Sequence, residues 1–109
     1  MERTPVTVEQ VREGQEHFKQ GMDFHEAKSF KESIEAFKKC ALINPYDLNH
    51  VDDLTKKLKQ GSYKLLQESV AYMGCAAVHL NKLISELDDR EKDQVPLDPS
   101  LNKVFNEWG

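Results

Sequence analysis

The sequence lacks any apolar stretch long enough to cross a membrane. A transmembrane helix needs about 20 consecutive apolar residues, and the apolar runs of this 109-residue chain are much shorter. The opening residues, Met1 to Pro5, also lack the basic and then apolar order of a secretory signal. With 31% charged and 39% hydrophobic residues, the composition is typical of a soluble helical domain. We therefore expect a cytoplasmic protein, with the nucleus as an alternative, and no direct membrane insertion.

Cysteine is scarce, and the excess charge is negative. The chain has two cysteines, Cys40 and Cys75, and both lie among apolar residues, where a buried thiol is commoner than a disulfide. Reduced thiols are typical of the cytosol and nucleus. The net charge of −4 argues against extensive phosphate binding. A lysine strip at 56–64 is expected to be a solvated face, so we predict no nucleic-acid partner.

Motifs of catalysis and cofactor binding are also absent. The sequence contains no phosphate-binding glycine loop, no dinucleotide fingerprint, no H-E-x-x-H and no G-x-S-x-G. Zinc sites usually show a closely spaced pair of ligands. The histidines are spread over three predicted helices: His17, His25, His50 and His79. A zinc site or a nucleophile pair would therefore have to combine a cysteine with one of these histidines. We predict instead that they fill helix interfaces, with no enzymatic activity, no metal site and no cofactor.

Two capping boxes predict where the first two helices begin. Thr7 and Gln10 have the spacing of a capping box, with Val6 and Val11 as a hydrophobic staple, so we predict a first helix over 8–26. Ser29 begins a second S-x-x-E box and predicts a helix start near residue 30. That helix should end before Pro45, because the residue before a proline is disfavoured in helical backbone.

The second half of the chain predicts two further helices and a short terminal one. A third helix is predicted over 47–60 and a fourth over 63–90, separated at Gly61-Ser62, although one long helix over 48–90 fits the apolar period nearly as well. After a linker at 93–97, Asp98-Pro99 is typical of a helix start. The predicted fold is therefore all-α, an antiparallel helix-turn-helix stack of four main helices, with a domain at 1–92 and a linker plus short amphipathic helix at 93–109.

Residues 14–47 resemble a tetratricopeptide repeat, a helix-turn-helix unit of about 34 residues. The resemblance rests on large, small and aromatic residues at helical spacing: Phe18, Gly21, Phe24, Phe30, Ser33, Phe37, Cys40 and Pro45. It implies stacked helices whose concave face binds a peptide or helix of another protein. Ser33 stands where the family usually has alanine. Lys59 and Tyr63 also resemble a lysine and tyrosine in the last helix of microtubule-interacting-and-trafficking domains, which bind helical tails of membrane-remodelling proteins.

These features predict a non-enzymatic adaptor for protein–protein interaction. We expect an apolar groove for a helical or extended segment of another protein, lined by Phe18, Met22, His25, Leu54 and Leu58. The terminal helix either caps the domain or docks on a second chain, with Phe105 and Trp108 as its anchors. The alternatives are a structural subunit of a larger assembly, a homodimer that uses its exposed helices, or a binder of the microtubule-interacting-and-trafficking type.

Overall fold

The fold is all-α, as predicted. A computed structural model describes residues 5–44, 48–95, 99, 101, 103 and 104. The described residues form four main helices and one short helix: α1 Val8–Glu26, α2 Phe30–Leu42, α3 Leu48–Gln60, α4 Leu65–Glu86 and α5 Asp89–Lys92. The break at Gly61-Ser62 is confirmed, because both residues lie in a turn, and the alternative of one long helix is wrong. No helix among these residues is long and apolar enough to cross a membrane.

The fourth helix is shorter than predicted at both ends. It begins at Leu65 rather than at residue 63, and it ends at Glu86 because Leu87 has extended backbone, with ψ 148°. Asp88 then accepts a hydrogen bond from the Glu91 amide and caps the separate helix α5, which was not predicted. The polar residues at 88–92 therefore begin a new turn rather than continue α4.

Of the two predicted capping boxes, only the first is present. The Thr7 hydroxyl accepts from the Gln10 amide at 3.2 Å, and the Gln10 side chain accepts from the Thr7 amide at 3.0 Å. The second box is wrong, because Ser29 makes no side-chain cap hydrogen bond although α2 does start at Phe30. Ser29 has ψ 68° and follows Lys28, whose φ of 63° lies in the left-handed region. Because of this tight turn, the Ser29 backbone does not have the extended conformation of most N-caps.

Helix α2 is central, since it packs against α1, α3 and α4, and α1 also packs against α4. The fully buried rings of Phe18 and Phe37 have centroids 5.6 Å apart. Gly21 lies against Phe37, so that a Cβ at this position would be 2.6 Å from two carbons of the Phe37 ring. The absence of a side chain at Gly21 therefore lets α1 and α2 approach closely.

Helix α4 completes the core with a stripe of apolar side chains. The apolar period of the predicted fourth helix places Met73, Ala77, Leu80 and Leu87 on its inward face, and all four are buried. The same period predicts that Leu66 faces inward, and this is wrong, because Leu66 is 49% exposed. The cause is the length of α1, whose last turn already meets α4 at Ser69 through His25. One turn earlier in α4, Leu66 extends beyond the end of α1.

The described part of the tail packs on the same core. Val95, Leu101 and Val104 are buried in the main hydrophobic cluster, and the Arg12 guanidinium donates to the Gln94 carbonyl at 3.2 Å. Residues 99, 101, 103 and 104 have helical backbone, where a helix was predicted. These contacts favour the tail as a cap of its own domain. The proposed anchors Phe105 and Trp108 lie outside the described residues.

Candidate functional site

A cleft between α3 and α4 is a candidate binding site on the described surface. The two helices run antiparallel and are bridged by side chains, with Thr55 Oγ1 2.8 Å from the Tyr72 hydroxyl and His50 Nδ1 2.9 Å from His79 Nε2. The cleft has a volume of about 250 Å³ and is lined by His50, Leu54, Ala71, Gly74, Cys75 and Val78. Its lining is mainly apolar, with the His50 imidazole contributed by α3 and the Cys75 thiol by α4.

The spacing of the lining residues explains why this cleft forms. On α4 they occur at positions i, i+3, i+4 and i+7 from Ala71 to Val78, which places them on one helix face. On α3, His50 and Leu54 are four residues apart and share a face as well. Small side chains on α4, including Gly74, leave space opposite α3, while Val51 and Leu58 of α3 are buried and hold that helix to the rest of the domain.

Three potential metal ligands meet beside the cleft: His50 from α3, and Cys75 and His79 from α4. One ligand atom from each residue lies within 4.8 Å of the other two. The Cys75 Sγ is 4.0 Å from His50 Nδ1, and the two imidazole rings stack with centroids 5.1 Å apart and an angle of 11° between their planes. His79 and Cys75 are buried, whereas His50 is exposed. The two ligands on α4 therefore lie in the interior, and the ligand on α3 is accessible to solvent.

The two cysteines occupy different environments. Cys40 is completely buried in the main core, and burial, with a smaller contribution from nearby Cys75, raises its pKa from 9.0 to about 12. Its thiol therefore stays protonated at neutral pH and serves as a small apolar side chain. No disulfide joins the two cysteines, as predicted. Cys75, by contrast, lies beside two imidazoles in the cleft wall.

A second polar group, inside the bundle, links α1, α2 and α4. The Ser33 hydroxyl donates to the Gly21 carbonyl at 2.9 Å and is 2.9 Å from the Ser69 hydroxyl, which in turn is 2.8 Å from His25 Nδ1. A hydroxyl has one proton to donate, so Ser69 must donate to Ser33 and His25 Nδ1 must donate to Ser69. We call this chain of hydrogen bonds the serine relay.

The described residues predicted to line a groove lie in different parts of the fold. Phe18 is fully buried against Phe37, so its placement disagrees with a groove role. Leu58 is buried too, and Met22 is half-buried against the main core. His25 is bound in the serine relay. Of the predicted lining residues, Leu54 alone is among those that line the cleft, because α1 faces α2 and α4 while the cleft lies on the other side of α4.

The sequence carried one signal for the His50–Cys75–His79 cluster, and it was missed. Cys75 and His79 are four residues apart on a helix, the spacing by which two histidines bind zinc in the H-E-x-x-H motif. His50 is distant in sequence and reaches them only through the antiparallel pairing of α3 with α4. The structure brings three potential ligands together here, two imidazoles and one thiol, where the sequence predicted side chains that only fill helix interfaces.

No protein-family model, no curated protein and no solved structure matches this chain. The similarities to tetratricopeptide repeats and to microtubule-interacting-and-trafficking domains therefore stay predictions.

Proposed function

We propose that this protein is a non-enzymatic interaction module that binds an amphipathic helix of another protein in the cleft between α3 and α4. The observation that carries the proposal is the cleft itself: an open, mainly apolar channel between two helices, lined at regular helical spacing. Helix-in-groove recognition uses apolar anchors at i, i+3, i+4 and i+7 of the bound helix. A cleft walled by two antiparallel helices offers a matching row of contacts.

The size of the cleft favours side chains over a free small molecule. Clefts that hold drug-sized ligands measure roughly 300–1,000 Å³, whereas this one has about 250 Å³. That volume is suited to one or two apolar anchor side chains projecting from a helix that itself stays on the surface. The lining offers Leu54, Ala71 and Val78 to such anchors, and we expect leucine-like or valine-like residues on the bound face of the partner.

The absence of catalytic sequence motifs and the apolar character of the cleft support a binding role rather than catalysis. The two reduced thiols, buried and not joined in a disulfide, support a reducing compartment, and we propose the cytoplasm or nucleus on that ground. The resemblance of residues 14–47 to a tetratricopeptide repeat agrees with a protein-binding module, although the proposed cleft lies on α3 and α4.

A matched pair of substitutions tests the cleft. Ala71→Glu places a carboxylate in the cleft, whereas Ala27→Glu places the same group on an exposed residue at the end of α1. We would select binders from a displayed library of amphipathic helical peptides and measure their affinity for both variants by titration. Selected peptides should lose at least tenfold in affinity for Ala71→Glu and keep their affinity for Ala27→Glu. Equal binding to both variants, or a library with no binders, would contradict the proposal.

A homodimer or structural subunit is the second candidate, and one observation favours it. Leu65 and Leu66, adjacent in the first turn of α4, are 42% and 49% exposed, and Tyr63 just before them is 44% exposed. Exposed apolar groups in a cluster often mark protein contacts. Sedimentation equilibrium decides between the candidates: a dimer that becomes a monomer on Leu66→Lys substitution supports the structural role, and a wild-type monomer supports the interaction module.

A further inference from the structure

We propose that His50, Cys75 and His79 form a zinc-binding site in the wall of the α3–α4 cleft. The donor set is the first reason. Two imidazole nitrogens and one thiolate are typical zinc ligands, whereas magnesium and calcium prefer oxygen ligands. The proposal does not depend on the partner helix, because it rests on side chains of this chain alone.

The distances are close to those that a zinc ion requires. With Zn–N near 2.0–2.1 Å, Zn–S near 2.3 Å and tetrahedral angles, two nitrogens lie about 3.3 Å apart and nitrogen and sulfur about 3.5 Å apart. In the structure, His50 Nδ1 and His79 Nε2 are 2.9 Å apart, and Cys75 Sγ is 4.0 Å from His50 Nδ1. These two separations differ from the required ones by about 0.5 Å each. The third pair, Cys75 and His79, lies within 4.8 Å, so zinc binding requires side-chain rotations that bring the three ligand atoms around one point.

Helix α4 already positions two of the ligands. Cys75 and His79 are one helical turn apart on α4, both are buried, and their helix packs on α1 and α2. His50 completes the group from α3 and is exposed, so it is the ligand that is free to adjust. A metal ion can enter from the cleft, which His50 and Cys75 both line.

Zinc needs a fourth donor, and the cleft provides room for it. Sites with three protein ligands keep a fourth position for water or another small donor. Since the cleft adjoins His50 and Cys75, a water molecule can reach an ion bound between them. Binding requires loss of the thiol proton and neutral imidazoles, so one proton should be released from the protein as zinc enters near neutral pH.

The competing interpretation is a simple hydrogen bond between two neutral imidazoles beside a buried thiol. It uses the same nitrogen atoms, His50 Nδ1 and His79 Nε2. The two interpretations predict different metal titrations. A zinc site binds one equivalent of cobalt through the Cys75 sulfur, whereas a hydrogen-bonded imidazole pair does not.

The test is a titration of the reduced, chelator-treated full chain with Co²⁺, followed by displacement with Zn²⁺. We expect one equivalent of cobalt per chain, the strong visible absorption of tetrahedral cobalt, and a near-ultraviolet band from thiolate-to-cobalt charge transfer. Zinc should remove both signals and raise the melting temperature, because a ligand that binds only the folded state stabilises it. Magnesium should do neither.

Matched variants identify the ligands. Cys75→Ala should abolish the charge-transfer band. His50→Ala should lower the affinity for zinc more than the loss of an outer-shell partner does, and that loss costs about 10–100-fold. The control is His17→Ala, which removes an imidazole of α1 outside the cluster and should leave the affinity unchanged. His50 is exposed, so its variant should fold, as circular dichroism will check. The proposal is overturned if wild type binds no stoichiometric cobalt, or if His50→Ala binds zinc as tightly as wild type.

Discussion

Substitution of Gly21 by alanine is the sharpest test of how α1 and α2 pack. In an unconstrained helix interior this change stabilises by about 0.8–1.0 kcal/mol, because glycine is the poorer helix former. Here the added Cβ would lie 2.6 Å from two carbons of the Phe37 ring and 2.9 Å from a third. Ordinary carbon–carbon contacts are about 3.5–4.0 Å, so the overlap is close to 1 Å.

The Phe37 ring has little freedom to move away. It is fully buried, and the Phe18 ring lies on it with centroids 5.6 Å apart. Overpacking a core costs about 1–3 kcal/mol, and an overlap with three buried ring atoms places this case near the upper end. After the gain in helix propensity is subtracted, we expect Gly21→Ala to lower the free energy of unfolding by about 2 kcal/mol. The melting temperature should fall by about 8 °C or more.

Gly61→Ala is the matched control. An added Cβ at Gly61 would contact the ring of Tyr63, but that ring is 44% exposed and can rotate into solvent. No glycine among the described residues has a positive φ, so alanine fits the backbone at this position. We expect no loss of stability, or a gain of up to about 1 kcal/mol from the reduced entropy of the unfolded chain.

Urea unfolding followed by circular dichroism measures both variants. A Gly21→Ala protein as stable as wild type would refute the inference that Gly21 is needed for close approach. A double variant adds a second check. In Gly21→Ala/Phe37→Leu the ring that causes the overlap is gone, so the combined loss should be smaller than the sum of the two single losses.

Three further predictions concern caps, the serine relay and the buried thiol. Thr7→Ala should lower the free energy of unfolding by about 1 kcal/mol, and Ser29→Ala should change it by less than about 0.5 kcal/mol. A larger loss for Ser29→Ala than for Thr7→Ala in urea unfolding would show that the caps are misassigned. Ser33→Ala should destabilise by about 1–3 kcal/mol because it leaves the buried Ser69 hydroxyl without its acceptor. Unchanged stability would contradict the proton directions assigned to the serine relay. Because the pKa of Cys40 is raised from 9.0 to about 12, the folded state holds this proton more tightly than the unfolded state. The stability that this proton contributes is therefore complete below pH 9 and is lost as the pH rises toward 12. The free energy of unfolding should fall less steeply with alkaline pH in Cys40→Ala than in wild type. Equal pH dependence of the two proteins would contradict the raised pKa.

Much of the helical architecture was predictable because its signals are local. The Thr7 capping box and the Gly61-Ser62 turn each act within a few residues, and the structure places helix ends there. Ser29 has the same sequence signal as Thr7 but no cap bond, because the left-handed Lys28 changes the approach of the chain. A capping motif thus predicts the helix start more reliably than it predicts the hydrogen bond.

The face of α4 was harder to predict because this helix is apolar on more than one side. Met73, Ala77 and Leu80 face the core, while Ala71 and Val78 line the cleft. All five side chains are apolar, so a single period does not separate core from cleft. The distinction depends on where α1, α2 and α3 lie around α4, which is information from long-range packing rather than from local sequence.

The same packing explains why both proposed sites lie between α3 and α4. Helix α3 is joined to α4 by side-chain contacts at two levels, Thr55 with Tyr72 and His50 with His79, and the space beside these contacts is the cleft. A zinc ion held by one ligand from α3 and two from α4 would fix the distance between the helices and so the width of the cleft. If both proposals hold, zinc and the partner helix must therefore influence each other's affinity, and by thermodynamic linkage the factor is the same in both directions.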